Sequence, residues 1–142
     1  MSAEPGAAFF DSNVLLYLLS SDERKAQATS SLLREGGWIS VQVLNEVAHV
    51  ATRKFGMGWP QVRDFLGHIR ALVDVVPITV DIHDAAIELA HHHRLSFYDA
   101  AITAAAVKAG CSRLWSEDLQ HGRRFATPSG RRLVVRNPFL KS

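Results

Sequence analysis

The chain is arranged around the segment Leu95-Ser-Phe-Tyr-Asp-Ala-Ala-Ile-Thr-Ala-Ala-Ala-Val-Lys-Ala-Gly110. Ser96 is suited to the N-cap of a helix and Gly110 to its end, and the residues between them are good helix formers that are apolar on almost every side. A helix that is apolar all round is buried. The sequence therefore predicts a central helix with a carboxylate, Asp99, in its first turn.

Asp99 has two interpretations from sequence. Ser96 and Asp99 have the Ser-x-x-acid spacing of a capping box, in which the acidic side chain bonds back to the N-cap amide and meets the positive end of the helix dipole. Taken alone, this spacing favours capping over catalysis. The other acidic residues of the chain shift that balance toward catalysis.

Length and composition indicate one folded domain. The chain has 142 residues, of which 47% are hydrophobic and 21% charged, as is typical of globular proteins. The longest strongly apolar run, residues 14–19, is too short to cross a bilayer, and the N-terminus lacks the basic residues of a signal peptide. A single cysteine, Cys111, fits a reducing compartment. We therefore expect a cytoplasmic protein without a membrane partner.

The net charge of +2 conceals an asymmetry along the chain. From Leu119 onward there are six basic residues and no acidic ones, which leaves ten basic and fourteen acidic residues before that point. This division suggests a surface for a polyanion beside an acidic site, although a solvated tail would have the same composition. The residues expected to contact phosphates are Arg123, Arg124, Arg131 and Arg132.

Short apolar segments alternate with longer segments of helical periodicity. This alternation predicts an α/β fold with a short parallel sheet of about four or five strands and helices on both faces. The predicted strands are residues 7–10, 38–40, 73–77, 113–115 and 133–135. The predicted helices are residues 14–19, 23–35, 40–55, 59–72, a helix capped by Asp81, and residues 95–110.

Four acidic residues could converge on one edge of this sheet. Asp11 and Asp118 follow predicted strands, Asp99 begins a helix, and Glu46 borders the apolar stripe of another helix. The carboxyl ends of parallel strands form the crevice in which such folds bind ligands. Clustered carboxylates are tolerated when they share a cation or a proton, and oxygen ligands select Mg²⁺ or Mn²⁺. Asp11 and Asp118 could instead cap helices, and Glu46 could be a solvated helix residue.

The segments around these acids resemble a known family. They read Phe-Phe-Asp11-Ser-Asn13-Val-Leu-Leu, Asn45-Glu46-Val, Leu-Ser-Phe-Tyr-Asp99-Ala-Ala-Ile and Trp-Ser116-Glu-Asp118. In order and spacing they are similar to the four acidic motifs of PIN-domain ribonucleases, and more closely to those of the VapC toxins of bacterial type II toxin-antitoxin pairs. The resemblance spans roughly residues 9–139.

The resemblance implies a single PIN-like domain over residues 1–142, in which Asp11, Glu46, Asp99 and Asp118 bind metal and catalyse. Asn13 and Ser116 would support them by hydrogen bonding. It also implies a Mg²⁺-dependent endoribonuclease acting on tRNA or ribosomal RNA, with Mn²⁺ able to substitute. A VapB-like antitoxin and a second copy in a homodimer are the implied protein partners. Glu117 could replace Asp118 in the cleft, but Asp118 aligns with the motif.

Three other functions are alternatives for an α/β domain with these acids. An aspartyl-phosphate phosphatase normally has a second aspartate two residues after its nucleophile, where this chain has Asn13. A phosphoacceptor domain needs an acidic pair near the first strand, which Asp11 lacks. A PIN fold that binds RNA without turnover remains a third alternative.

The run from His91 to His93 does not predict a metal site, because consecutive helical residues point about 100° apart.

Overall fold

A computed structural model describes residues 6–140. Over this range the chain forms six strands and six α-helices, with one 3₁₀ turn, Leu16–Leu19, after the first helix. The strands are β1 (Ala8–Phe10), β2 (Trp38–Ser40), β3 (Asp74–Val76), β4 (Arg113–Trp115), β5 (Arg124–Ala126) and β6 (Arg132–Arg136). The helices are α1 (Ser12–Leu15), α2 (Glu23–Arg34), α3 (Val41–Lys54), α4 (Trp59–Arg70), α5 (Val80–His93) and α6 (Phe97–Ala109).

The strands form one sheet in the order β3-β2-β1-β4-β6-β5. All neighbouring pairs are parallel except β5 and β6, which pair antiparallel with Phe125 opposite Leu133. The chain proceeds outward from β1 to β3 and then returns to place β4 on the other side of β1. Because crossovers are right-handed, the helices before β3 and those after it cover opposite faces of the sheet. The reversal places a ligand-binding crevice between the carboxyl ends of β1 and β4.

Helix α6 lies at the centre of the molecule, as the apolar segment predicts. Every residue from Ala100 to Ala106 is buried, and Thr103 satisfies its hydroxyl by donating to the carbonyl of Asp99 at 2.9 Å. Ser96 caps the helix by accepting from the amide of Asp99 at 3.2 Å, and Gly110 ends it with a left-handed backbone. The helix therefore fixes the backbone of Asp99 against the core.

Gly37 permits the close approach of β2 to β1. Its φ angle is +150°, and a Cβ atom there would lie 2.8 Å from both the carbonyl oxygen of Ala8 and the ring of Phe10. Phe10 is fully buried and cannot move aside without disturbing the core. Only glycine fits this position, which keeps the two strands, and the segments that follow them, in register.

The predicted α/β class and the parallel sheet flanked by helices are confirmed, with two corrections. The sheet has six strands instead of four or five. The additional strand, β5, was missed because Arg124–Ala126 has only one buried residue, Phe125, and gains its order by pairing with β6. Asp81 does not cap α5, since Thr79 precedes it and accepts from the amide of Ile82.

The structure also decides between the two interpretations of the basic C-terminal segment as far as its order is concerned. Within the described residues it is no solvated tail, because β5 and β6 form part of the sheet. Lys141 lies outside the described residues. None of the helices in residues 6–140 combines the length and the apolar character needed to cross a bilayer.

Candidate active site

Asp11 lies where β1 ends, at the reversal of strand order. Its amide donates to the carbonyl of Trp115 at 2.9 Å, which joins it to the end of β4. Its side chain caps α1 by accepting from the amide of Ser12 at 2.7 Å, so the capping interpretation is correct. The side chain is only 4% exposed. Capping uses Oδ1 alone and leaves the second oxygen for other partners.

The second oxygen of Asp11 is held by two side chains predicted to support it. Ser116 Oγ donates to Oδ2 at 2.8 Å, and Asn13 Nδ2 donates to the same atom at 3.2 Å. Asn13 Oδ1 in turn accepts from the amide of Glu117 at 3.0 Å. These bonds join the segments after β1 and β4, and they fix the orientation of the Asp11 carboxylate.

Glu46, in the second turn of α3, supplies a second buried carboxylate oxygen. Among the described residues, its Oε1 is the one buried side-chain oxygen or nitrogen without a hydrogen-bond partner. Burial raises its pKa to about 7, with the charges of Asp11 and Asp99 adding to the effect, while the polar groups of Gln42 and Ser12 oppose it. A buried acceptor without a partner is costly, so this atom indicates a missing ligand or proton.

Asp99 and Asp118 complete the acidic cluster at longer range. Burial raises the pKa of Asp11 to about 6 against the lowering effect of its hydrogen bonds, and the charges of Asp99 and Asp118 contribute to the rise. Asp99 is half-buried and Asp118 exposed. The charge of Asp99 thus acts on both Asp11 and Glu46, and the charge of Asp118 acts on Asp11. Within residues 6–140, however, no three acidic, histidine or cysteine side chains are close enough to enclose an ion without adjustment.

Glu117 points away from this cluster. Its carboxylate accepts from Tyr17 Oη and Lys25 Nζ, both at 2.6 Å, and the lysine also lies over the rings of Tyr17 and Phe139. Burial would raise the pKa of Glu117, but these two hydrogen bonds outweigh it and lower the pKa. Glu117 is therefore paired with Lys25 and Tyr17, whereas the charge of Asp118 contributes to the raised pKa of Asp11, which favours Asp118 as the acid of the cluster.

Comparison with known protein families identifies the domain that carries these residues. The PIN domain profile matches residues 8–124. The chain belongs to the PIN domain family. That range includes all four acids as well as Asn13 and Ser116.

Several solved structures share this fold. A toxin-antitoxin complex from Klebsiella pneumoniae is 24% identical, with a TM-score of 0.68, and the match covers 95% of this chain and 100% of that one. VapC20 of Mycobacterium tuberculosis, a sarcin-ricin loop cleaving toxin, is 22% identical with a TM-score of 0.64, over 79% and 92% of the two chains. FitAcB from Neisseria gonorrhoeae is 17% identical with a TM-score of 0.64, over 94% and 99%. No curated protein matches the chain.

The donor set of this PIN domain fits a hard divalent cation. Asp11, Glu46, Asp99 and Asp118 offer only oxygen, and the two carboxylates with raised pKa values, Asp11 and Glu46, would ionise more readily beside a cation. The partnerless Oε1 of Glu46 is an available ligand atom.

The basic residues of the PIN domain lie at both the amino and the carboxyl ends of the strands. Arg131 directly precedes β6, and Arg132 begins it. Because β6 runs parallel to β4, both arginines lie at the amino ends of these strands, and the acids lie at the carboxyl ends. Arg136 ends β6 beside Trp115, on the acidic edge, and was not among the four predicted contacts. Arg123 donates to the carbonyl of His93 at 2.6 Å and stacks over Phe125. Arg124 is exposed at the start of β5.

The side chains of two residues beside the acids were not predicted from sequence. Tyr17 and Lys25 contact Glu117, which lies about a hundred positions later in the chain, and no local pattern marks such a pair. In the histidine run, His92 Nε2 lies 3.3 Å from a carboxylate oxygen of Glu88, and the His93 ring packs edge-on against Phe125.

Proposed function

We propose that this PIN domain is the toxin of a type II toxin-antitoxin pair and acts as a divalent-metal-dependent endoribonuclease. The observation that carries the proposal is the pair of carboxylates with raised pKa values, Asp11 and Glu46, at the strand-order reversal, where Oε1 of Glu46 is buried and without a partner. The charge of Asp99 contributes to both shifts and that of Asp118 to the shift of Asp11. Apart from the capping of α1 by Asp11, such a cluster does not stabilise the fold, because like charges repel unless a cation or protons neutralise them.

Asp11, Glu46, Asp99 and Asp118 would hold the ion. When bound, Mg²⁺ or Mn²⁺ activates water and offsets the charge of a phosphodiester under attack. Ser116 and Asn13 orient the Asp11 carboxylate through Oδ2, and the Ser12 amide holds Oδ1. The preset orientation reduces the reorganisation that metal binding requires. Lys25 keeps Glu117 out of the cluster, so a fifth negative charge does not enter it.

The structurally similar toxins support cellular RNA as substrate, of the tRNA or ribosomal RNA class. VapC20 is described as cleaving the sarcin-ricin loop, and the Klebsiella relative as part of a toxin-antitoxin complex. We therefore assign a VapB-like antitoxin as partner and expect a homodimer. An antitoxin arginine would pair with the acidic cluster and compete with the metal.

Cleavage is tested with purified protein and total cellular RNA, with Mg²⁺, with Mn²⁺ and with EDTA, followed by mapping of new RNA ends. We expect defined new ends only with a divalent ion, and none from the Asp11→Asn variant. RNA binding without any cleavage would leave a PIN fold that binds RNA without turnover and would refute the nuclease proposal.

The toxin role is tested by co-expression with the product of the adjacent small open reading frame. We expect a tight complex in which RNA cleavage is suppressed. If no neighbouring product binds, and expression of the lone protein leaves growth and RNA unchanged, the toxin assignment fails even where cleavage in vitro succeeds.

A further inference from the structure

A groove of about 590 Å³ opens beside Glu46, on the side of the site away from the basic strands. One face of α3 forms its floor, with the start of α6 and the loop after β3 as its walls. The side chains that give it its chemistry are Gln42, Asn45, Glu46, His49, Ile78 and Tyr98. The groove is therefore continuous with the acidic cluster through Glu46.

The walls of this groove expose two large side chains that the core does not use. Tyr98 is 67% exposed and Ile78 is 59% exposed. Tyr98 directly precedes Asp99, and its carbonyl accepts from Gln42 Nε2 at 3.3 Å, which ties the start of α6 to α3. The tyrosine ring thus stands on a fixed backbone beside Asp99, largely exposed to solvent and edge-on to the Phe97 ring at 5.9 Å between centroids.

The polar groups in the groove match a flat heteroaromatic ligand better than a phosphate. No lysine or arginine lines it, and its one acidic group, Glu46, repels anions. The carboxamides of Gln42 and Asn45 and the imidazole of His49 can each donate and accept hydrogen bonds, as base edges require. Ile78 and the Tyr98 ring provide apolar contact for the face of a base. A base within a duplex is excluded because its neighbours cover both faces.

We propose that this groove binds one unpaired nucleobase of the RNA substrate, stacked on Tyr98, next to the phosphodiester at the acidic cluster. The inference rests on the proposed ribonuclease function and adds a base-binding subsite to it. Phosphates of the same strand extend from the groove across the carboxyl edge of the sheet toward Arg136.

The test measures binding of a labelled, unstructured oligoribonucleotide in EDTA, so that cleavage plays no part. Tyr98→Ala removes the ring, Tyr98→Phe keeps it, and Trp59→Ala removes an aromatic ring that is 69% exposed outside the groove. We expect Tyr98→Ala to weaken binding about 5- to 150-fold, which is the usual effect of losing one base–aromatic stack. Tyr98→Phe and Trp59→Ala should bind as the unmodified protein does.

A set of oligonucleotides with one abasic position each locates the stacked base. One abasic position should weaken binding to the unmodified protein and cause no further loss in Tyr98→Ala, since ring and base act as a pair. Equal RNA affinity of Tyr98→Ala and the unmodified protein would overturn the proposal. It would also be overturned if Tyr98→Ala changed only the monomer–dimer equilibrium, because the groove would then be a protein interface. The ribonuclease function is tested separately, because it fails if the unmodified protein shows no metal-dependent cleavage.

Discussion

Asp11 and Glu46 have raised pKa values chiefly because burial penalises their charged forms. Asp11 offsets part of this penalty with hydrogen bonds from Ser116 and Ser12, whereas Glu46 leaves Oε1 without a partner. At the scale of single residues, the site therefore favours function over stability. A cation supplied to these oxygens would remove the penalty in the folded state alone.

Asp99→Asn should abolish RNA cleavage and preserve the fold. Ser96 caps α6 through the backbone amide of Asp99, which the substitution keeps, while the charge that would bind metal is lost. We expect a decrease in the single-turnover cleavage rate of more than about 100-fold, with an unchanged circular dichroism spectrum. Asp81→Asn is the matched control, because Asp81 occupies the first turn of α5. Normal cleavage by Asp99→Asn would reduce Asp99 to a structural residue.

The metal-free protein should lose stability as the pH rises from about 4 to about 7. Unfolded glutamate releases its proton near pH 4.5, but folded Glu46 keeps it to about pH 7, so ionisation over this interval favours the unfolded state. Asp11 acts in the same direction between pH 3.8 and about 6. Glu46→Gln should therefore unfold at higher denaturant concentration than the unmodified protein at pH 8 in EDTA.

The gain from Glu46→Gln should be on the order of 1 kcal/mol after allowance for the partial exposure of this side chain. Glu88→Gln is the control, because the Glu88 carboxylate is 72% exposed. Added Mn²⁺ should reverse the order, stabilising the unmodified protein more than the variant. Equal stability of the two proteins at pH 8 in EDTA would contradict a strained carboxylate at this position.

Helix α2 contributes to the site through one side chain. Lys25 Nζ contacts Glu117 at 2.6 Å and Tyr17 Oη at 3.1 Å, and the Tyr17 ring packs edge-on against Phe139. The Glu117 amide in turn donates to Asn13. Through these contacts, an element outside the acidic cluster fixes the segment that carries both Ser116 and Asp118.

Lys25→Met should weaken Mn²⁺ binding and slow RNA cleavage about 10-fold, because Glu117 would be released and the segment after β4 would lose its anchor. Lys25→Arg keeps the charge and should restore part of both properties. Arg24→Met, at the exposed neighbouring position, is the control. If Lys25→Met lowers the melting temperature while the folded protein binds Mn²⁺ and cleaves RNA normally, the lysine serves stability alone.

In the molecule as a whole, basic residues lie at opposite ends of the strands of the sheet. Parallel pairing with β4 carries Arg136 to the edge with Trp115 and the acids, and leaves Arg132 at the other end of the same strand. Both side chains are exposed. Comparison of the two arginines therefore distinguishes general electrostatic attraction of RNA from direct contact with phosphates near the acids.

Arg136→Gln should weaken RNA binding more than Arg132→Gln does. A phosphate contact at Arg136 would lower the slope of log affinity against log salt by about 0.7, the value for one phosphate in a single strand. The two variants have the same net charge, so each is the control for the other. Equal salt slopes would show that RNA does not follow the edge at which Arg136 lies.

The sequence by itself determined the elements whose cause is local. The capped apolar segment predicts α6, and alternating strands and helices predict the parallel sheet. The sequence also predicts that Asn13 and Ser116 bond to Asp11, as they do in the structure. β5 escaped prediction because its order comes from pairing with β6, and Asp81 was misassigned because Thr79 offers an equally good cap two residues earlier.

Tertiary structure alone decided the features that depend on residues distant in sequence. The pairing of Glu117 with Lys25 and Tyr17 joins residues some ninety to a hundred positions apart. The separation of Arg132 from Arg136 follows from strand direction, and the partnerless oxygen of Glu46 follows from how α3 packs. Periodicity and capping act over a few residues, whereas these contacts exist only once the sheet has brought its strand ends together.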